Sequence, residues 1–125
     1  HISDLSIEAA SSFPEQWELF KSLCDRGVID PGTIHLAKYD CFRWLLFLPI
    51  KYNRNTPTYK KHISAGLQRF AWRYKQLGIW SAAFPVLLSP SDHKSLEPNT
   101  ILRLQLSELS VCRTLLLEIR DKALF

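Results

Sequence analysis

Methionine is missing from this sequence altogether, and glycine is scarce, with four in 125 residues. The first absence implies that His1 is not where translation begins, so an N-terminally incomplete domain is expected. The second bears on chemistry, because loops that wrap a phosphate need glycine where backbone N–H groups approach closely at positive φ. Cysteine is sparse too: Cys24, Cys41 and Cys112 form no CxxC pair and leave an odd number. That argues against a disulfide framework or a zinc site and fits a reducing, cytoplasmic setting. Each cysteine reads as a small buried hydrophobe. No run approaches the roughly 18 consecutive apolar residues of a membrane helix. The longest, from Trp44 to Ile50, is strand-length. No basic-then-apolar leader is present, and no membrane contact is expected. His1, His35, His62 and His93 stand far apart without metal-ligand spacing, so neither metal nor cofactor is expected.

Carboxylates are missing from one long stretch. Between Cys41 and Ser91 there are eight lysines and arginines and no Asp or Glu, whereas residues 1–40 carry seven acidic and three basic side chains. Residues 92–125 balance at five of each, so the formal net charge of +4 conceals an acidic start and a basic middle. A segment of one sign suggests an anionic partner such as a phosphate, a nucleotide or a nucleic acid. A solvated basic helix face, balanced in space by the acidic first third, accounts for the same pattern.

What is present is enough for one domain, with 46% of residues hydrophobic. Leu5, Ala9, Phe13, Trp17, Phe20 and Cys24 follow helical spacing, with a break at Phe13-Pro14, since proline suits a first helical turn and disrupts an interior. Asp30-Pro31-Gly32 predicts a turn. Strands are expected over Thr33–Tyr39 and Arg43–Lys51, the second so uniformly apolar that both its faces should be covered. After a polar loop at Asn53–Pro57, Thr58 caps a helix running to about Leu77, with Ile63, Leu67, Phe70, Ala71 and Tyr74 inward. Gly78 stops it. A strand over Ser81–Leu88, a loop over Ser89–Glu97, a helix from Pro98 to about Leu109 and a strand over Val111–Ile119 complete the order. Strands joined through helices imply an α/β fold with a largely parallel sheet.

Three passages carry a family resemblance. Phe13-Pro14-Glu15 followed by Pro31-Gly32 and a strand is similar to an "FPE … PG" passage. Leu48-Pro49-Ile50-Lys51 followed by Ile63-Ser64-Ala65-Gly66-Leu67 resembles "FPTK … IEAGL". Leu77-Gly78-Ile79-Trp80-Ser81-Ala82-Ala83-Phe84-Pro85 resembles "LGI-SIA-P". Together they resemble the macro domain, in the branch that includes the DNA-directed DarG antitoxins, over about residues 3–120. The resemblance implies a three-layer α/β fold, a mixed and mostly parallel sheet flanked by helices. It also implies a single macro-like domain over 1–125 without the family's first two strands.

The resemblance further implies where ADP-ribose chemistry would sit, and how this chain departs from it. The family's first glycine-rich phosphate loop would fall on His1-Ile2-Ser3-Asp4 and its second on residues 88–96, and neither retains a glycine. Pro90 also removes a backbone donor. Lys51 matches the lysine implicated in removing ADP-ribose from thymine, and a lysine in an apolar setting can attack or polarise an anomeric centre. Asn53, Ser89, Ser91 and His93 are the polar side chains left to contact a ligand. Asp92-His93 beside Ser89 or Ser91 lacks the strained turn that a hydrolase nucleophile needs.

Arg54, Lys60, Lys61, Arg69, Arg73 and Lys75 form the basic stretch, with aromatics interleaved. Of these, Phe70 and Tyr74 share an inward face, and Trp72 is the surface reader expected to stack on a base. The residues therefore favour a diverged macro-like module that acts by binding a protein or nucleic acid, with weakened ADP-ribose binding. The alternatives are a DarG-type ADP-ribosyl hydrolase acting on nucleic acid through Lys51, or a structural subunit of a larger assembly or homo-oligomer. A place beside a toxin follows from the resemblance.

Overall fold

The computed structural model describes residues 10–50, 60–87 and 97–120. Residues 10–12 are helical, Phe13 interrupts, and α1 runs from Pro14 to Asp25 with proline in its first turn and Glu15 facing the positive helix end. Its exit is a Schellman turn. Gly27 takes φ +70, its N–H bonds Cys24 O at 3.0 Å, and Val28 N–H reaches Leu23 O at 2.9 Å. The strands β1 (His35–Lys38) and β2 (Trp44–Phe47) pair antiparallel, His35 opposite Phe47. The hairpin closes through Asp40, whose carboxylate accepts from the Phe42 and Arg43 backbone N–H groups and pairs with the Arg43 guanidinium. Those donors hold its pKa below the ordinary carboxylate value.

Alternation along β2 covers both faces of this hairpin, as its apolar run predicts. Phe47 meets α1, stacking on Phe20 at 4.4 Å and touching Trp17 at 6.2 Å. Leu46 and Leu48 join the core beneath the next helix, α2 (Lys60–Arg73). Gly66 allows that approach, since a β-carbon there would lie 3.1 Å from Leu48 Cγ. The last turn of α2 carries on to Leu77 and ends in a second Schellman turn at Gly78, φ +73, with Ile79 N–H on Tyr74 O at 2.9 Å. The helix thus stops at the glycine expected to stop it.

The strands β3 (Ser81–Pro85) and β4 (Leu116–Arg120) pair in parallel, flanking α3 (Pro98–Leu109) in sequence. Ala82, Phe84, Leu117 and Ile119 turn into the core, while Ser81, Ala83, Leu116 and Glu118 turn outward. One core unites the parts. Ile63, Leu67 and Phe70 of α2 pack with Ile101 and Leu109 of α3 and with Phe84, and Phe70 meets Phe84 edge-on at 5.6 Å. Ser64 and Gln68 both donate to the Glu108 carboxylate at 3.0 Å, tying α2 to α3.

The mixed sheet character appears as one antiparallel and one parallel pair, and among the described residues the two pairs do not hydrogen-bond to each other. All four strands are shorter than the sequence pattern predicts, and three of them stop for a visible reason. Beyond Phe47 lies Pro49, which has no N–H to give a ladder. Beyond Pro85, the Leu87 N–H is captured by a side chain, described below. The last strand begins at Leu116 instead of Val111, because residues 109–115 turn to bury Cys112 and Leu115 and leave Val111 exposed. Thr58 and the loop at 53–57 lie outside the described residues. No helix among the described residues is long and apolar enough to cross a membrane.

Candidate functional site: the strand exits and the basic flank of α2

Two strands point their ends toward the segments where the resemblance locates ligand chemistry. Each exit is fixed by a specific contact. The chain leaving β2 passes through Leu48-Pro49-Ile50, and Pro49 O accepts the Gly32 N–H at 3.2 Å. Gly32 sits at φ +91, a conformation that a side chain disfavours, and a β-carbon there would lie 3.5 Å from Ala65 Cβ and 3.7 Å from His62. The loop before β1, the exit of β2 and the first half of α2 are therefore locked together.

The exit of β3 is held by Gln105, a fully buried polar side chain of α3. Its Nε2 donates to Pro85 O at 2.9 Å and its Oε1 accepts from Leu87 N–H at 2.8 Å. A buried amide costs stability unless its groups are paired, and here both are, to backbone on either side of Val86. The chain therefore enters residue 88 from a defined position. Gln105 was not singled out by sequence. A polar residue at an inward position of an otherwise leucine-rich helix is the signal that marks it.

The side chains that would carry ADP-ribose chemistry, Lys51, Asn53, Ser89, Ser91 and His93, lie outside the described residues, as does Arg54. The remaining basic residues separate into groups. Lys60 and Lys61 are exposed at the start of α2, and Arg69 follows Lys61 by eight residues, or about 12 Å of helix rise. Lys75 is exposed in the turn that carries α2 on to Gly78. Arg69, Trp72 and Arg73 come together with Thr33 and Ile34 to line a cavity of about 180 Å³. Phe70 and Tyr74 are buried as their spacing predicts, and Trp72 is 72% exposed. Arg69 is anchored by Nε donating to Gly32 O at 2.9 Å.

His35 projects on the α1 side of the hairpin, among Phe20 and Phe47, with Nε2 buried and unpaired. Burial pushes its pKa below the ordinary histidine value, and the positive charge of Arg73 adds to the shift. The cysteines differ from the uniform burial expected of them. Cys112 is buried and Cys24 partly so, whereas Cys41 is exposed in the hairpin turn. Burial raises the Cys24 and Cys112 thiols, disfavouring the thiolate that a nucleophile needs. Among the described residues no group of three or more His, Cys, Asp or Glu is placed to hold a metal ion.

Helices and strands share one core, and the exits of β2 and β3 are held by Gly32 and by Gln105, which defines an α/β class of fold. Comparison with solved structures makes the class particular: the chain has the macro-domain fold. It superposes on the macrodomain of Mycobacterium tuberculosis DarG with a TM-score of 0.84 at 18% identity, over 98% of this chain and 81% of that one. On the macrodomain of Thermus aquaticus DarG the TM-score is 0.81 at 18% identity, over 93% and 78%. Thermosipho africanus DarTG in complex with ADP-ribose gives 0.79 at 22% identity, over 99% of this chain and 36% of that one. The sequence matches no protein-family model and no curated protein.

Proposed function

We propose that this chain is a macro module whose ligand is ADP-ribose or a group derived from it, met at the exits of β2 and β3, and that it acts by binding with weakened affinity. The observation that carries this reading is the joint fixing of those exits by Gly32–Pro49 and by Gln105. That rigid frame sits in a fold shared with a protein solved in complex with ADP-ribose. The weakening follows from the sequence. Residues 1–4 and 88–96 carry no glycine, and Pro90 offers no N–H to a phosphate. A module of this kind recognises an ADP-ribosylated protein or nucleic acid without efficiently cleaving it.

Calorimetry with ADP-ribose tests the reading. A small saturable heat at millimolar ligand is expected, and no heat at that concentration would overturn it.

A hydrolase reading is favoured by one feature. Lys51 follows Ile50 in sequence, and the backbone at Pro49, two residues before it, accepts the Gly32 N–H. If Lys51 attacks or polarises an anomeric carbon, release of ADP-ribose from modified DNA should vanish in Lys51→Ala. Release that persists in that variant removes Lys51 from the chemistry.

A further inference from the structure

The cavity beside the second half of α2 has a composition that the strand exits do not explain. It is lined by Thr33, Ile34, Arg69, Trp72 and Arg73, with no carboxylate among the described residues of its lining. The Trp72 ring is largely in solvent, an expensive place for an indole with nothing to cover it. Arg69 is held in place by Gly32 O through Nε, which leaves its terminal nitrogens for another acceptor. Arg73 has no hydrogen-bond or ion-pair partner among the described residues, and its charge is felt at His35. Arg69 and Arg73 stand one helical turn apart, about 6 Å along the axis, on the same face of α2.

We infer that this cavity is a nucleoside-phosphate site, with the base against the Trp72 ring and the phosphate between the Arg69 and Arg73 guanidiniums. An indole face offers stacking to any base, and two guanidiniums lining one cavity suit a phosphate better than a single point charge. The site is separate from the strand exits. The exit of β2 meets the first half of α2 at His62, Ala65 and Gly66 and that of β3 meets Gln105 of α3, whereas the cavity is built on the second half of α2. Lys60, Lys61 and Lys75 lie outside its lining, so the basic stretch narrows to two side chains that touch the ligand. The source of the nucleoside phosphate is either a free mononucleotide or one unit of a single-stranded nucleic acid.

Fluorescence titration of the full chain with thymidine monophosphate, with inorganic phosphate and with an oligothymidylate of about ten nucleotides separates these cases. Quenching by the monophosphate at millimolar concentration is expected, with much weaker binding of phosphate alone. Tighter binding of the oligonucleotide identifies a strand as the source, and equal affinity per site identifies the free nucleotide. Trp72→Ala and Arg73→Gln should each weaken binding about tenfold, since base stacking contributes about 1–3 kcal/mol. Trp72→Phe should restore most of the loss. For the oligonucleotide, Arg73→Gln should also reduce the slope of log affinity against log salt by about 0.7. Both side chains are exposed, so thermal unfolding of these variants should match the parent chain. Inorganic phosphate binding as well as the nucleotide would overturn the inference, as would an equal loss from Lys75→Ala. ADP-ribose carries a base and phosphates and can enter this cavity too, so Arg73→Gln should remove only that share of its heat. The ADP-ribose reading is judged instead by amide shifts at Ile50, Val86 and Leu87, so the two fail independently.

Discussion

Replacing Gln105 with leucine keeps a side chain of comparable volume in the core and removes both hydrogen bonds that hold the exit of β3. Pro85 O and Leu87 N–H, paired at 2.9 and 2.8 Å, are then left without their partner. An intramolecular hydrogen bond contributes about 1 kcal/mol net, and an orphaned buried group costs about 1–3 kcal/mol, so two such groups place the loss at roughly 2–5 kcal/mol. Against a total stability of about 5–15 kcal/mol this is large. It corresponds to a midpoint drop of roughly 8–20 °C, at about 4 °C per kcal/mol for a domain of this size. Urea unfolding gives the free energy, and amide exchange at Leu87 reports whether the exit has loosened. Gln105→Glu sharpens the test. A carboxylate can accept from Leu87 but has no proton for Pro85, and burial raises its pKa, so this variant should gain stability relative to the parent as pH falls. A Gln105→Leu variant within about 0.5 kcal/mol of the parent, with Leu87 exchange unchanged, would refute the role assigned to Gln105.

Further outcomes follow from other contacts. Gly32→Ala forces a side chain into φ +91 and should cost about 1–2 kcal/mol, measured by the same unfolding curves. Gly66→Leu, driven into Leu48, should cost about 1–3 kcal/mol, whereas a cost near zero would mean that α2 does not pack on β2 as described. Burial, and then the charge of Arg73, lower the His35 pKa in the folded chain, so the unfolded chain takes up its proton more readily. The contribution of His35 is complete above the ordinary histidine value of 6.5 and is lost as pH falls from there through the lowered value of the folded chain. His35→Phe should flatten the decline of thermal stability between about pH 7.5 and 5.5. Iodoacetamide should label exposed Cys41 in the folded protein and reach buried Cys112 only on unfolding, which mass spectrometry resolves.

Much of this fold is legible in the sequence because its signals are local. Pro14, Gly78 and Pro98 mark helix ends through backbone constraints that hold in any context. The helical spacing of Ile63, Leu67, Phe70 and Tyr74 separates inward from outward residues correctly, leaving Trp72 in solvent. Strand lengths are less legible, since apolar pattern alone does not say where pairing stops. Leu87 reads as strand, but its N–H is claimed by Gln105 from another helix. Val111 to Leu115 reads as strand too, yet the chain turns there to bury Cys112 and Leu115. The candidate sites divide in the same way. Arg69, Trp72 and Arg73 stand together on one helix and are found by spacing, whereas Thr33 and Ile34 join them only through the tertiary contact of Gly32 with α2. Gln105 acts across 18 and 20 residues of sequence, beyond the reach of any local pattern.

The central claim is that an ADP-ribose-type ligand is met at the pinned exits of β2 and β3. Its most direct test is an amide chemical-shift titration with ADP-ribose. Saturable shifts concentrated at Ile50, His62, Val86 and Leu87, with β1 and the α1 face unmoved, are the result this account predicts. Shifts confined to Arg69, Trp72 and Arg73, or none at millimolar ligand, would contradict it.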